Sequence, residues 1–94
     1  MQVKQESAEL LALEALGWLA GNEELLPLFL GASGACAADL VAGAQNTEFL
    51  ASVLVFVMNE DAWVIAFCDA TGHAYTAPMM ARAFLPGGQA THWT

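Results

Sequence analysis

Basic residues are almost missing from this sequence. Its 94 residues include only Lys4 and Arg82 against ten acidic residues, for a formal net charge of −8. Binding to nucleic acid requires several lysine or arginine contacts with phosphate groups, and an anionic membrane surface attracts proteins through the same charges. We therefore expect neither as a partner. The acidity either keeps an apolar protein soluble or complements a basic partner surface.

Cysteine is also scarce, since Cys36 and Cys68 are the only two and neither forms part of a CxxC pair. The beginning of the chain does not resemble a secretory signal, because Glu6, Glu9 and Glu14 interrupt its apolar residues. These observations predict a cytoplasmic protein whose thiols are reduced.

Long apolar runs are missing as well, although 57 % of the residues are hydrophobic and only 13 % are charged. The run Phe49–Met58 is too short for a membrane helix, which needs roughly 20 apolar residues. The acidic stretch that starts at Asn59 separates it from the next apolar run. We interpret it as a buried core helix of one small domain. Such an apolar composition implies either an unusually complete core or a surface patch left for a partner.

No catalytic or ligand-binding motif is present: the sequence has no GxxxxGK, no GxGxxG and no nucleophile elbow. Cys68 and His73 invite a nucleophile or metal hypothesis. However, apolar neighbours should raise the thiol pKa of Cys68, and His73 follows a helix-ending glycine. Cys36 and His92 add no ligand spacing to them. We predict no catalytic, cofactor or metal site, and hence a protein that is not an enzyme.

Two stretches, Ala15–Gly34 and Val53–Gly72, resemble each other as helix-turn-helix units. Gly21 aligns with Asn59 and Gly34 with Gly72, and all four are expected to end helices in the left-handed conformation. Further matches pair Leu16 with Leu54, Trp18 with Phe56, Phe29 with Phe67 and Ala32 with Ala70. Acidic residues follow each turn, where they suit the start of a helix. We predict two related halves, about 6–44 and 46–85, followed by a polar tail, 86–94.

The spacing of apolar residues predicts an all-α bundle of five or six helices. The expected ranges are about 6–20, 22–32, 37–44, 46–58, 60–70 and 76–85. A strand is the rival interpretation of the fourth range, because its valines alternate. Pro27 predicts either a kink or a tight first turn in the second helix. Trp93 in the tail either folds back onto the bundle or contacts a partner.

An apolar, acidic bundle without converging polar groups is best suited to presenting a surface, so we predict a non-enzymatic interaction or regulatory module. The alternative is a bundle that binds a small apolar ligand, with Met79, Met80 and Phe84 as a pliable wall. The surplus of apolar residues also favours a homodimer.

Three stretches of the chain, Glu6–Ala35, Glu48–Gly72 and Pro86–Thr94, resemble a family of short, acidic alphaproteobacterial proteins that is classed as a domain of unknown function. The resemblance is most specific around Trp18 and Trp63. It implies a small, all-helical, cytoplasmic protein without an assigned activity, and a regulatory setting near response-regulator and cell-cycle genes. Residues 54–58 and 73–75 are more apolar than the family pattern implies.

Overall fold

The chain folds into six α-helices over the part that the computed structural model describes, which is the backbone of residues 2–85 and the side chains of residues 6–85 except residue 37. This confirms the all-α prediction, and the rival strand at the fourth range is wrong. The predicted tail, with His92 and Trp93, lies outside the described residues. The helices are α1 (Gln2–Ala20), α2 (Leu25–Ser33), α3 (Ala37–Gly43), α4 (Thr47–Val57), α5 (Asp61–Thr71) and α6 (Ala77–Ala83).

The core is centred on α1 and α4, and α6 packs against both. Ala12 and Ala15 of α1 are fully buried, which allows a close approach of the neighbouring helices. Val53 and Leu54 of α4 are equally buried. Burying one such branched side chain stabilises the fold by about 1.5–3 kcal/mol, so these two helices supply much of its stability.

The first helix begins at Gln2, four residues before the predicted start at Glu6. Glutamine and lysine are good helix formers, and no glycine or proline interrupts the N-terminal residues. The predicted start of this helix, at about residue 6, is therefore too late.

The turn between α1 and α2 is built by Asn22, whose Oδ1 accepts hydrogen bonds from the backbone N–H groups of Glu24 and Leu25, both at 3.0 Å. Because α2 begins at Leu25, Pro27 is its third residue, where an amide has no partner within the helix. The proline therefore requires no kink. Residues 23 and 24 form a turn before the helix proper, and Leu26 N–H bonds to Asn22 O at 2.9 Å with the spacing of an α-helix.

Two of the four predicted helix stops adopt the left-handed conformation. Gly34 has φ 76° and Gly72 has φ 83°, and their N–H groups bond to the carbonyls of Leu30 and Cys68. The prediction is wrong for Gly21 and Asn59, which do not have positive φ. At Gly21 no left-handed residue is needed, because the N–H groups of Gly21 and Asn22 already bond to the carbonyls of Gly17, at 3.1 Å, and Leu19, at 2.9 Å.

The two similar stretches exchange equivalent aromatic contacts. Trp18 of α1 meets Phe67 of α5 edge-on, with ring centroids 5.7 Å apart and an interplanar angle of 62°. Their aligned counterparts, Phe56 of α4 and Phe29 of α2, meet in the same way at 5.3 Å and 70°. Reciprocal contacts of this kind are what a twofold arrangement requires. The division of the chain into halves at residue 45 stays a prediction.

Gly43 ends α3 against the ring of Phe49, so Gly43→Ala tests how closely α3 and α4 pack. A Cβ atom at this position would overlap that ring. The ring would have to leave its edge-on contact with Phe29. We expect the overpacking, about 1–3 kcal/mol, to exceed the ~1 kcal/mol that alanine gains over glycine in a helix. The free energy of unfolding, measured by urea denaturation, should fall by about 1 kcal/mol.

A matched control lies in α1, where Gly17 has no atom close to the position of an added Cβ. Gly17→Ala should raise the free energy of unfolding by about 0.5–1 kcal/mol. Stabilisation by both substitutions would show that Phe49 does not restrict position 43.

Candidate functional site

An open apolar groove of about 340 Å³ lies between the first part of α1 and α6. Seven residues line it, and Ser7 is the only polar one among them: Ser7, Ala8, Leu11, Ala77, Met80, Ala81 and Phe84. We call this the α1–α6 groove.

Helical spacing explains how the sequence forms this groove. Its α6 residues recur at intervals of three and four, from Ala77 to Phe84, so they share one side of the helix. Ala8 and Ala81 are buried and too small to fill the space between the helices. Met80 and Phe84 form the outer wall and remain 57 % and 43 % exposed. The groove is therefore apolar at its floor and open to solvent along one side.

The sequence predicted Met79, Met80 and Phe84 as the pliable wall of one binding pocket. In the structure they line two different grooves. Met80 and Phe84 line the α1–α6 groove. Met79 lies on the other side of α6 and lines a second groove, of about 280 Å³, between α5 and α6. Both grooves are partly walled by methionine, whose unbranched side chain adapts to irregular apolar surfaces. We call the second one the α5–α6 groove; its lining residues are Met58, Asp61, Val64, Tyr75, Thr76, Pro78 and Met79.

The residues with reactive side chains meet at the loop between α5 and α6. His73 pairs through Nε2 with Glu14 Oε1, which ties the loop to α1. The Tyr75 hydroxyl donates a 2.7 Å hydrogen bond to Asp69 Oδ1, and this bond raises the pKa of Tyr75. The sequence analysis identified His73 but missed these two pairs. The raised pKa keeps the Tyr75 hydroxyl protonated at neutral pH, and the pairing with Glu14 fixes the position of the His73 ring.

Cys68 is buried at the same loop, and its thiol donates a 3.3 Å hydrogen bond to Ala74 O. Burial raises its pKa, as the apolar sequence around it predicts, and the carboxylate of Asp69 adds to the shift. Because the thiolate is the nucleophilic form, this cysteine is not activated.

The two cysteines should therefore differ in their reaction with a thiol reagent at neutral pH. Cys36 is exposed, and we expect it to be modified within minutes. Cys68 should react only after denaturant unfolds the protein, because it is 1 % exposed and its thiol pKa is raised. Mass spectrometry of the alkylated protein counts the modified sites. Two rapid modifications in the native protein would contradict the placement of Cys68.

The described side chains contain no group of three histidine, cysteine or acidic residues that could hold a metal ion. The predicted absence of a metal site stays a prediction for the whole chain. Glu24 and Glu60 directly precede α2 and α5, and Asp61 lies in the first turn of α5. Their positions agree with the interpretation that these acidic residues interact with the positive ends of helices.

No single helix in the described range is long and apolar enough to cross a membrane. Only α4 and α5 together meet the criteria of length and hydropathy, and the chain bends by 113° between them.

Most of this chain matches the model of a known protein family. Residues 5–88 match the model of a family described as "Protein of unknown function (DUF3572)". The chain belongs to this family. The matched region includes every residue that lines either groove. No curated protein and no solved structure matches the chain. The family description assigns no activity, so the function has to be argued from the grooves themselves.

Proposed function

We propose that this protein is a non-enzymatic interaction module that binds an apolar segment of a partner protein in the α1–α6 groove. The observation that carries the proposal is the open groove itself, with Met80 and Phe84 exposed beside the buried Ala8, Leu11 and Ala81. Partner helices commonly dock in apolar grooves of this kind, through side chains that repeat every three or four residues.

The openness of the groove favours a protein over a small ligand. Sites for small molecules bury about 70–90 % of the ligand, which requires walls on most sides. The α1–α6 groove has two helical walls, and the large side chains of one wall are about half exposed. An apolar ligand in it would keep a large part of its surface in water. A partner protein would cover both the groove and its exposed rim.

The experiment compares two double variants in affinity capture from extract of the native cell. Met80→Ser with Phe84→Ser removes the apolar wall of the groove. The control, Leu28→Ser with Val41→Ser, changes two side chains that are 54 % and 79 % exposed and lie outside both grooves. We expect the wall variant to capture at least about tenfold less of the partner, since apolar anchors in grooves each contribute about 2 kcal/mol or more. The control should capture as much as the wild type.

Other occupants would give different results. Equal capture by both variants would contradict the proposal. An apolar molecule that stays bound in native mass spectrometry, and is lost in the wall variant, would favour the small-ligand alternative. A second copy of the chain would appear as a dimer in sedimentation, again lost in the wall variant. The cytoplasmic location, the homodimer and the lack of nucleic-acid and anionic-membrane partners stay predictions.

A further inference from the structure

We infer that the α5–α6 groove selects the partner by charge, and that it fits an amphipathic helix with two basic side chains about two turns apart. This inference rests on the proposed function, because it names the chemistry of the same protein partner. The groove joins an apolar floor to the carboxylate of Asp61, whereas no acidic residue lines the α1–α6 groove.

The apolar floor and the carboxylate of Asp61 both line the α5–α6 groove. Pro78 is buried, Met58 and Val64 are half-buried, and Met79 is 60 % exposed at the rim. Asp61 is exposed and lines the groove beside them. Among the described residues its carboxylate has no hydrogen-bond or ion-pair partner. An apolar residue of a partner on this floor would bring a neighbouring basic residue close to Asp61.

The second carboxylate is held in place by Tyr75. Its ring lines the α5–α6 groove, while its hydroxyl donates to Oδ1 of the exposed Asp69 at 2.7 Å. One donated hydrogen bond leaves the carboxylate able to accept others. The exposed ring also offers a face on which the stem of a lysine or the plane of an arginine can lie.

The separation of the two carboxylates sets the spacing of the basic residues. Asp61 and Asp69 are eight residues apart in α5, which separates them by about 12 Å along the helix axis at 1.5 Å per residue and by roughly 80° around it at 3.6 residues per turn. Ile65 lies between them and is 44 % exposed. A helix aligned with α5 would place basic residues at the same separation when they are about seven or eight positions apart.

The charge distribution favours a basic helix over the other occupants. The net charge of −8 attracts a basic partner to the molecule from a distance, and Asp61 places a carboxylate in the groove itself. A second copy would add another net charge of −8, and its Arg82 is half-buried in α6. An uncharged apolar ligand would make no use of either carboxylate.

The test uses synthetic helical peptides of about 15 residues, near the length at which an isolated helix becomes stable in water. The first carries leucines along one face and two lysines about seven positions apart beside them. The second has glutamine in place of both lysines, and the third has the same lysines on the opposite face. Binding is measured by titration at low and physiological salt. Backbone amide shifts in NMR spectra locate the bound peptide.

We expect the first peptide to shift the amide signals of Asp61, Val64 and Met79 most strongly. Its affinity should fall as the salt concentration rises. The double variant Asp61→Asn with Asp69→Asn should bind the first peptide about three- to tenfold more weakly, because two exposed ion pairs are lost. The matched control, Glu23→Gln with Glu24→Gln, makes the same change in net charge outside the groove and should have little effect. Tyr75→Phe keeps the ring but removes the hydrogen bond to Asp69. Its affinity for the first peptide should lie between the affinities of the two double variants.

Three results would overturn the inference: equal binding of the lysine and glutamine peptides, an equal loss in both double variants, or no binding of the first peptide. None of these decides the proposed function, which depends on capture by the Met80 and Phe84 variant. If the Met80 and Phe84 variant captures less partner than its control while the lysine and glutamine peptides bind equally well, only the inference about a basic helix fails.

Discussion

Phe67→Ala is expected to lower the free energy of unfolding by about 3–5 kcal/mol. The ring is fully buried and meets Trp18 edge-on across the two similar stretches. It also lies against the ring of His73, with centroids 6.1 Å apart. Truncation would remove the buried apolar surface and leave a cavity between α1 and α5 that the rigid surroundings fill only in part.

Urea denaturation followed by circular dichroism measures this loss. Phe84→Ala is the matched control, because Phe84 is 43 % exposed and its loss leaves no enclosed cavity; we expect a change below about 1.5 kcal/mol. Where Phe67→Ala is too unstable to measure, Phe67→Leu should still fold, with a loss of about 1–2 kcal/mol. Similar losses for positions 67 and 84 would contradict the placement of Phe67 at the centre of the core.

Helical spacing in the sequence was enough to predict the buried face of α1. The apolar residues of α1 that recur at helical spacing are all buried in the structure: Ala8, Leu11, Ala12, Ala15, Leu16 and Leu19. The reason is that the period of an α-helix is a local property, and one apolar stripe decides which side turns inward. The helix preferred over the rival strand for the fourth range is also confirmed, and six residues of α4 are buried.

Helix ends were predicted with mixed success, because several devices can end a helix. Gly34 and Gly72 use the left-handed conformation that their residue type favours. At Gly21 the sequence offers two signals, the glycine itself and the capping side chain of Asn22. The side chain of Asn22 caps α2, while the N–H groups of Gly21 and Asn22 bond to carbonyls at the end of α1, so the glycine keeps an ordinary conformation.

The grooves could be predicted only in part. Met80 and Phe84 were recognised as an apolar wall, but no residue of α1 was predicted to line a groove. A groove depends on how far apart two packed helices stay, and that distance depends on pairs such as Ala8 and Ala81 that are remote in sequence. The pairing of His73 with Glu14 is equally non-local. No local pattern of one sequence specifies such contacts.

Leu19→Ala is expected to lower the free energy of unfolding by about 2–5 kcal/mol. Leu19 is fully buried in the last turn of α1, where that helix packs in the core. Leu10→Ala makes the same substitution in the same helix at a side chain that is 63 % exposed. Helix propensity changes equally in both variants, so the difference between them reports burial alone.

The control should change the free energy of unfolding by less than about 1 kcal/mol, because alanine also favours a helix and little apolar surface is lost. Thermal denaturation of both variants shows whether Leu19→Ala is the less stable of the two. For a domain of this size, each 1 kcal/mol lowers the Tm by roughly 4–8 °C, so the two transitions should be clearly separated. Equal Tm values would mean that α1 does not turn Leu19 towards the core, and the position of α1 in the bundle would have to be revised.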